Sequence, residues 1–391
     1  MDLYSRALEI KDEIITHRRY LHQNPEVGLN MPKAADYIKN TLKHYDIEPR
    51  DCGFGVTASL GVGSPVILLR ADMDALPMAE ESGEAFASLE KAAHTCGHDL
   101  HAAMLLGAAA ILKEHESELC GTVKLMFQPA EETLEGCRNM IDHGVPSEPK
   151  VDAAFAFHVG AGKMTPGAFM YNPGGVMMFA SDSFRIDIAG KGGHGAYPHL
   201  TVDPIRIGVH IYSALESLIA KEAPSTSRCT LTVGRFTGGE AGNIIPSSAV
   251  LEGSLRTDSK DLRRKLTERI TEIAEKTAET FKGQAKVTFK SSVPPLICDK
   301  EFTYKMKDYM EELNIPWKAP IDNVTSGASE DFALIAEAVP SVYMYLSAGF
   351  EDSRGDHLAH DPKVRFNEDV CPIGAAAFAH CAIRWLEENR K

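Results

Sequence analysis

The sequence predicts an α/β protein in two parts: a three-layer α/β domain built on a mostly parallel mixed sheet, and an inserted ferredoxin-like α+β domain. With 391 residues, the chain is longer than one hydrophobic core usually organises. In its first part and its tail, nearly continuous apolar runs alternate with helical patterns, as in buried parallel strands joined by helices. The stretch between them has the order β-α-β-β-α-β, which is typical of a ferredoxin-like fold.

The first domain is predicted from helices and buried strands that alternate along the chain. Its helices are expected at about 2–22, 31–45, 98–118 and 367–389. Its strands are expected within 65–74, 121–132, 151–160 and 341–349. Asn24-Pro25 ends the first helix, because proline cannot continue one. We therefore assign residues 1–180 and 293–391 to one discontinuous domain.

The inserted domain is predicted over residues 181–292, a length that suits a separate small domain. Its strands are expected at 183–190, 228–236, 249–258 and 285–292. Its helices are expected at 203–221 and 260–281. Pro294-Pro295 then marks the return of the chain to the first domain.

Charge and composition exclude several classes of partner. Lys and Arg number 41 against 55 Asp and Glu, a net charge of −14, so the surface repels nucleic acid and anionic lipid. No run of 18 apolar residues occurs and no export signal is visible at the start, so we expect no membrane span. Eight cysteines are scattered without a dense framework, which favours a reducing cytoplasm.

Polar side chains stand at the ends of the predicted strands. Asp72 and Asp74 end the first buried strand, Glu131 and Glu132 the second, and His158 the third. Because ligands of open α/β sheets bind outside the carboxyl ends of the strands, these side chains are expected to converge. Taken singly, a strand-end histidine is more often a core residue, and an acidic pair is usually solvated.

A thiol and an imidazole are expected on the same side. Cys96 and His98 open the predicted helix, and Gly97 between them lets the backbone turn so that both point to one place. Acid, thiol and imidazole together are the usual ligands of zinc or another divalent transition metal. The sequence therefore predicts a metal site.

The two neighbouring glutamates are expected to differ in role. If they lie on an extended segment, their side chains point in opposite directions. One can then bind metal while the other takes a proton from a metal-activated water and returns it to a leaving amine, as amide hydrolysis requires.

Several long motifs give the chain a family resemblance. They are RADMDALP at 70–77, HTCGHDLHAAMLLG at 94–107, FQPAEE at 127–132, GGHGAYPHLTVDP at 192–204, GNIIP at 242–246 and SEDF at 329–332. Together they resemble the dinuclear metalloamidases that include hippurate hydrolase, auxin-conjugate (IAA-amino acid) hydrolases and N-acyl-L-amino acid amidohydrolases, in the aminoacylase/carboxypeptidase superfamily. The resemblance covers nearly the whole chain.

The resemblance implies a role for each matching residue. The implied metal ligands are Cys96, His98, Glu132, His158 and His360. Glu131 is implied as general base and acid. The residues by themselves leave His357 and His360 equal, since both lie in the loop before the last helix. The resemblance also implies two metal ions per subunit, and the mixed thiolate and carboxylate donors leave zinc, manganese, nickel and cobalt open.

The resemblance further implies that the inserted domain serves as a lid and as the interface of a homodimer. His194 would reach the partner's site to hold the scissile carbonyl oxygen, and Asn243 would assist it or bind the substrate carboxylate. Asp72 stands where the wider superfamily has a ligand histidine, so Asp72 and Asp74 are expected to orient ligands rather than bind metal. His101, one turn after His98, is expected to support the ligands or pack.

The function implied is metal-dependent hydrolysis of the amide bond of N-acyl amino acids, with Glu131 as base and acid. A dipeptidase, a carboxypeptidase or an aminobenzoyl-glutamate-type conjugate hydrolase is the alternative, and a non-catalytic metal-binding homologue is a further one. The substrate is then a small N-acyl amino acid or short peptide.

Overall fold

The computed structural model describes residues 2–313, 315 and 321–390. The chain forms two compact units. The large unit comprises Met1–Met177, Ile297–Thr325 and Asp331–Lys391, and the small unit comprises Met178–Leu296 with Ser326–Glu330. The segment 326–330, which lies in the range that we assign to the first domain from the sequence, packs with the small unit.

The strands and helices follow one another in mixed order. The strands are β1 (Arg50–Cys52), β2 (Gly55–Gly61), β3 (Val66–Asp72), β4 (Thr122–Gln128), β5 (Ala153–Gly160), β6 (Phe169–Met170), β7 (Val176–Met178), β8 (Ala180–Ala189), β9 (Gly193–His194), β10 (Cys229–Gly238), β11 (Ile244–Ile245), β12 (Ser248–Thr257), β13 (Gln284–Val293), β14 (Leu296–Ile297) and β15 (Ser341–Ser347). The helices are α1 (Leu3–Glu9), α2 (Lys11–Gln23), α3 (Pro32–His44), α4 (His98–Glu114), α5 (Gly136–Asp142), α6 (Pro204–Glu222), α7 (Lys260–Thr280), α8 (Lys300–Glu312), α9 (Ala333–Ala336) and α10 (Cys371–Glu388).

The large unit is built on a mixed sheet in the order β1-β2-β4-β3-β5-β15-β6. Its four central strands, β4, β3, β5 and β15, run parallel, and the strands outside them are antiparallel. The prediction of an α/β fold with a mostly parallel central sheet is confirmed. Because the central strands are parallel, the ends of β3 and β5 that carry Asp72 and His158 lie at the same edge.

Helix α4 is buried along nearly its whole length, so it lies in the core rather than on the surface. It contacts α2 and α10 and packs on β3 and β5. Small residues such as Ala102, Ala103 and Ala108, all fully buried, allow this close approach. The helix is thereby fixed relative to the strand ends, which fixes the residues at its N-terminus.

The predicted first helix is wrong in one respect: it is two helices. Helix α1 ends at Glu9 and α2 begins at Lys11, with Ile10 between them at φ −97° and ψ 13°. Ile10 is a cap for both, and Asp12 and Glu13 in the first turn of α2 favour a new helix start there.

The small unit has a four-stranded antiparallel sheet in the order β10-β12-β8-β13. Helices α6 and α7 contact each other and this sheet, and enclose a separate core that includes Ile186, Ile211, Leu251, Leu266 and Ile270. The elements β8, α6, β10, β12, α7 and β13 follow one another in the order β-α-β-β-α-β. Across the described ranges, no helix is both long and apolar enough to cross a membrane.

Candidate metal centre

Cys96 and His98 are presented by the turn that begins α4. Gly97 caps the helix at φ +89°, in the left-handed region that glycine adopts without strain. A Cβ at this position would lie 2.3 Å from Val159 Cγ2, so the turn also needs the space that glycine leaves. Glycine is therefore required here for two reasons, and it brings the turn against the end of β5.

Glu131 and Glu132 lie in a turn after β4, so the expectation of an extended segment is wrong. The N–H of Leu134 donates to the Glu131 carbonyl oxygen at 2.8 Å, and Ala130 and Leu134 on either side have φ of +52° and +58°. The two side chains do not diverge. One oxygen of each carboxylate and one ring nitrogen of His98 all lie within 4.8 Å of one another. A difference in role between Glu131 and Glu132 therefore cannot come from the alternation of side chains along a strand.

The structure brings the implied ligands together. Cys96 Sγ lies 3.4 Å from His158 Nε2 and 3.3 Å from His360 Nε2. Glu132 Oε1 lies 3.3 Å from His360 Nε2 and 3.9 Å from His98 Nε2. Sulfur, nitrogen and oxygen from four separate segments of the large unit therefore meet in one place.

Two of the histidines are oriented by hydrogen bonds at their Nδ1 atoms. His98 Nδ1 lies 3.1 Å from Asp74 Oδ1, and His158 Nδ1 lies 2.7 Å from the carbonyl oxygen of Val159. Since a carbonyl oxygen only accepts, the His158 ring proton is on Nδ1, and the carboxylate favours the same tautomer for His98. When either ring is neutral, its Nε2 then offers its lone pair to the shared space, as in histidines that bind metals.

The site suits a cation because, within the described part of the chain, two of its buried polar atoms have no hydrogen-bond partner. His98 Nε2 and Glu132 Oε1 are among the buried polar atoms of the described residues that have no hydrogen-bond partner. Leaving such atoms buried and unpaired is costly. A divalent transition ion satisfies sulfur, imidazole and carboxylate donors together, so these residues fit the metal that the sequence predicts.

Burial and neighbouring charges shift the pKa values of the site residues in different directions. Burial raises the pKa of the Cys96 thiol to about 12. Burial also holds the pKa of His158 well below its usual range, which keeps the ring neutral. Burial alone would lower the pKa of His98 as well, but Asp72, Cys96 and the hydrogen bond to Asp74 together outweigh burial and raise that pKa well above the usual range. A positive charge at His98, from a proton or from a metal ion, is therefore favoured.

Asp72 and Asp74 both orient neighbours. Asp74 bridges two implied ligands, since its Oδ1 faces His98 and its Oδ2 accepts the backbone N–H of Glu132 at 3.1 Å. Asp72 accepts from Arg70 Nη1 at 2.7 Å. Burial tends to raise the pKa of Asp72, but Arg70, His98 and His101 together bring it well below its usual range.

The loop before α10 distinguishes His360 from His357. His360 has a left-handed backbone at φ +70°, its N–H donates to the Thr95 carbonyl oxygen at 2.9 Å, and its ring contacts Cys96. His357 instead pairs with Asp361 at 3.0 Å. Sequence spacing could not separate the two, because the contact with Cys96 joins residues 264 positions apart.

His194 and Asn243 belong to the small unit, where a short ladder places them side by side. His194 on β9 pairs with Ile244 on β11, and the N–H of Gly195 donates to the Asn243 carbonyl oxygen at 2.9 Å. Both side chains are exposed. His194 Nδ1 accepts the N–H of Ala196 at 3.1 Å, which leaves the ring proton on Nε2.

An α/β sheet with thiolate, imidazole and carboxylate donors gathered at the carboxyl ends of its strands is the arrangement of a metal-dependent hydrolase. The chain belongs to Peptidase family M20/M25/M40, whose family model matches residues 68–384.

Relatives support this membership over the whole chain. An N-acetyl-L-cysteine deacetylase of Bacillus subtilis (strain 168) is 34% identical over 390 residues, which cover 98% of this chain and 90% of the relative. IAA-amino acid hydrolase ILR1-like 2 of Arabidopsis thaliana is 34% identical over 395 residues, which cover 99% of this chain and 88% of the relative. The Bacillus subtilis YXEP protein is described as a dinuclear metal binding peptidase from the M20 family. Its crystal structure aligns with a TM-score of 0.80 at 29% identity, and the alignment covers 97% of this chain and 99% of that one.

Proposed function

We propose that this protein hydrolyses the amide bond of N-acyl amino acids with the help of divalent metal ions. Two similar proteins carry names of this activity, a deacetylase of N-acetyl-L-cysteine and a hydrolase of IAA-amino acids. The observation that carries the proposal is the meeting of Cys96, His98, Glu132, His158 and His360 beside a second carboxylate, that of Glu131.

The metal ligands in this proposal are Cys96, His98, Glu132, His158 and His360. A pair of ions fits the donor set, and the YXEP protein with the same fold is described as dinuclear. Bound divalent metal lowers the pKa of water and stabilises negative charge on a carbonyl oxygen. The metal is zinc, manganese, nickel or cobalt, since the soft thiolate and the hard carboxylates favour different ions.

Glu131 is the general base and acid. It is buried, and a carboxylate oxygen of Glu131 lies in the same group of ligand atoms as His98 and Glu132. With His98 and Glu132 committed to metal, Glu131 takes a proton from the attacking water and delivers it to the nitrogen of the leaving amino acid. One carboxylate thus performs both transfers, and no further acid is needed.

His194 supplies a donor for the scissile carbonyl oxygen. Its Nε2 carries the ring proton because Nδ1 accepts from the backbone, so an N–H is available on an exposed ring. Asn243, beside it across the β9–β11 ladder, assists or binds the substrate carboxylate. In this proposal the small unit, with domain limits near 181–292, serves as the lid and as the contact of a homodimer.

The location proposed is the cytoplasm. All eight cysteines lie among the described residues and are free thiols, as expected of a protein kept in a reducing compartment.

The first experiment compares Glu131→Gln with Glu135→Gln on an N-acetyl amino acid. Glu135 is exposed in the same turn and bonds only locally to Thr133 Oγ1 at 3.0 Å, so it is the matched control. Glu131→Gln should keep its metal content and lower kcat by at least about 10²-fold, because both proton transfers lose their carrier. Glu135→Gln should retain wild-type kcat. Equal activity of the two variants would reject the role of Glu131.

The substrate class is tested with a panel of N-acetyl, benzoyl, dipeptide and aminobenzoyl-glutamate substrates, each with Zn²⁺, Mn²⁺, Co²⁺ or Ni²⁺. Preference for N-acyl amino acids supports the proposal. Preference for dipeptides would favour the alternative, which the description of the YXEP protein as a peptidase supports. No turnover of any substrate with any metal would reject both and leave a non-catalytic metal-binding protein.

A mixing experiment tests whether His194 acts across a dimer. His194→Ala and Glu131→Gln are each expected to be nearly inactive. After subunit exchange, a hybrid dimer contains one intact site if His194 serves its partner, so about a quarter of wild-type activity should return. A mixture that exchanges subunits and stays inactive would place His194 in its own subunit's site or in none.

A further inference from the structure

His101 lies beside the metal centre, yet it makes contacts of a different kind. It stands on α4 one turn after His98 and is almost wholly buried. Its Nδ1 lies 2.5 Å from Asp72 Oδ1, and its Nε2 lies 2.8 Å from the backbone nitrogen of Val159. Both ring nitrogens are therefore occupied within the protein.

These two contacts define the tautomer of His101. The backbone N–H of Val159 can only donate, so Nε2 accepts with its lone pair. The ring proton is then on Nδ1 and is donated to Asp72. Although potential ligand atoms of Asp72, His98 and His101 lie within 4.8 Å of one another, His101 has no lone pair left for a metal. This separates it from His98 and His158, whose Nε2 atoms face the centre.

Asp72 is also held in place at its other carboxylate oxygen, by Arg70. Arg70 Nη1 donates to Asp72 Oδ2 at 2.7 Å, and Arg70 Nε donates to Gln128 Oε1 at 3.0 Å. Arg70 and Asp72 are both almost wholly buried. The guanidinium keeps the carboxylate charged and fixed, and the carboxylate in turn fixes the ring of His101.

His101 supports β5 on the side of β3, after the pairing with β3 has ended; on its other side β5 stays paired with β15 through Gly160. The pairing of β3 with β5 ends at Arg70 and Ala156, two residues before His158. Beyond that point the N–H of Val159 donates to His101, and the carbonyl oxygen of Val159 accepts from His158 Nδ1. Both backbone polar groups of Val159 are thereby tied, one to His101 and the other to His158.

We propose that Asp72 and His101 form a positioning pair that fixes the end of β5 and so aims His158 Nε2 at the metal, and that His101 is not a metal ligand. The contacts run from Arg70 through Asp72 and His101 to Val159. The inference rests on the proposed function, because it assigns the pair to the metal site. In this inference His101 acts through the hydrogen bond that its Nε2 accepts from the N–H of Val159, and not by filling space alone.

Nitrogen NMR of the whole protein tests the ligand question directly. With ¹⁵N-labelled histidine, the spectrum of the metal-free protein should show His101 with Nδ1 protonated and Nε2 unprotonated. Saturating Zn²⁺ should shift the Nε2 signals of His98 and His158 and leave His101 in the same tautomer with nearly unchanged shifts. A His101 Nε2 signal that moves as a ligand nitrogen does would overturn the inference. If the wild type binds none of Zn²⁺, Co²⁺, Ni²⁺ and Mn²⁺, the proposed function fails instead; if it binds another of these ions and not Zn²⁺, the same spectra are recorded with that ion.

Three variants distinguish the effect of the hydrogen-bond acceptor at His101 Nε2 from the effect of the packing of its ring. His101→Leu removes both hydrogen bonds, His101→Asn keeps a donor for Asp72, and His101→Gln can offer its Oε1 to the N–H of Val159. Zn²⁺ affinity is measured by competition with a chelator, and Zn²⁺ stoichiometry by elemental analysis. We expect His101→Leu and His101→Asn to lose about 10- to 100-fold in affinity at unchanged stoichiometry, and His101→Gln to recover most of the loss.

The matched control is His17→Gln, another buried histidine with both nitrogens bonded, here to the hydroxyls of Tyr37 at 2.8 Å and Tyr45 at 2.7 Å. It should lose thermal stability without losing Zn²⁺ affinity. A missing Zn²⁺ ion in His101→Leu at saturation would make His101 a ligand. Wild-type affinity in His101→Asn, or no recovery in His101→Gln, would reduce His101 to packing. Should the leucine variant not fold, the other variants and the wild-type spectrum decide.

Discussion

Replacing Gly97 by alanine perturbs the turn that holds Cys96 and His98 with a single methyl group. The methyl would be forced into a left-handed backbone at φ +89°, 2.3 Å from Val159 Cγ2 and 3.1 Å from the ring of Phe366. The backbone must therefore change conformation, or the end of β5 must move.

The magnitude follows from two costs that the chain allows us to separate. An alanine in the left-handed region costs about 1–2 kcal/mol. Overlap with a packed neighbour adds about 1–3 kcal/mol. Gly28 has φ +77°, and a Cβ added there would meet nothing within 4 Å, so Gly28→Ala incurs only the first cost. Gly97→Ala should thus lose about 1–3 kcal/mol more in unfolding free energy than Gly28→Ala.

The assay is urea unfolding of both metal-free variants, followed by Zn²⁺ titration of each. Gly97→Ala should also bind Zn²⁺ more weakly, because the displaced atoms carry two ligands and adjoin His158. Gly28→Ala should bind as the wild type does. Equal losses of stability, or full Zn²⁺ affinity in Gly97→Ala, would refute the argument that close approach of this turn to β5 shapes the site.

Two further predictions concern histidines of the large unit. Burial by itself lowers the pKa of His22, but hydrogen bonds to Asp99 at 2.8 Å and to Glu80 at 3.0 Å raise it above its usual 6.5. The stability that His22 contributes is therefore complete below about pH 6.5 and is lost as the pH rises through the raised pKa. In urea unfolding, the difference in unfolding free energy between the wild type and His22→Gln should decline in that range by at most about 1.4 kcal/mol per pH unit. A difference that grows with pH would contradict this prediction. His360→Ala should lower metal content in elemental analysis while His357→Ala keeps it, and the reverse result would exchange their roles.

The sheet could be predicted because its central strands are apolar without interruption. β3, β4 and β5 are buried at nearly every residue, and a continuous apolar run is the signal that a fully buried strand leaves. β1, at the edge, has only three residues, and in β2 the polar residues Thr57 and Ser59 and a glycine at each end interrupt the apolar residues, so neither strand left such a run. The division of the first helix at Ile10 was equally invisible, since no proline or glycine marks it.

The site was predictable to the extent that its residues stand at strand ends or share a motif. Cys96 and His98, two positions apart, and His158 on β5 could be placed from the sequence. The turn at Glu131 and Glu132 could not, because its left-handed residues are Ala130 and Leu134 rather than glycine.

His101 shows the limit of pattern reasoning from another side. Its spacing from His98 is that of a second ligand on one helix face. Its role depends on what its two nitrogens meet, a carboxylate from β3 and an amide from β5. Sequence spacing gives the face of a helix and not the partner of each atom, so the tautomer of His101 and its two partners could be read only from the packed structure.

The most direct test of the account is the absorption spectrum of the Co²⁺-loaded protein. If Cys96 delivers its sulfur to the same ion as the imidazoles around it, Co²⁺ should produce a near-ultraviolet sulfur-to-cobalt charge-transfer band. That band should vanish in Cys96→Ser and persist in Cys52→Ser, which alters a buried thiol bonded to the carbonyl oxygen of Met140. Absence of the band in the wild type, or its survival in Cys96→Ser, would contradict the convergence of these donors on one metal.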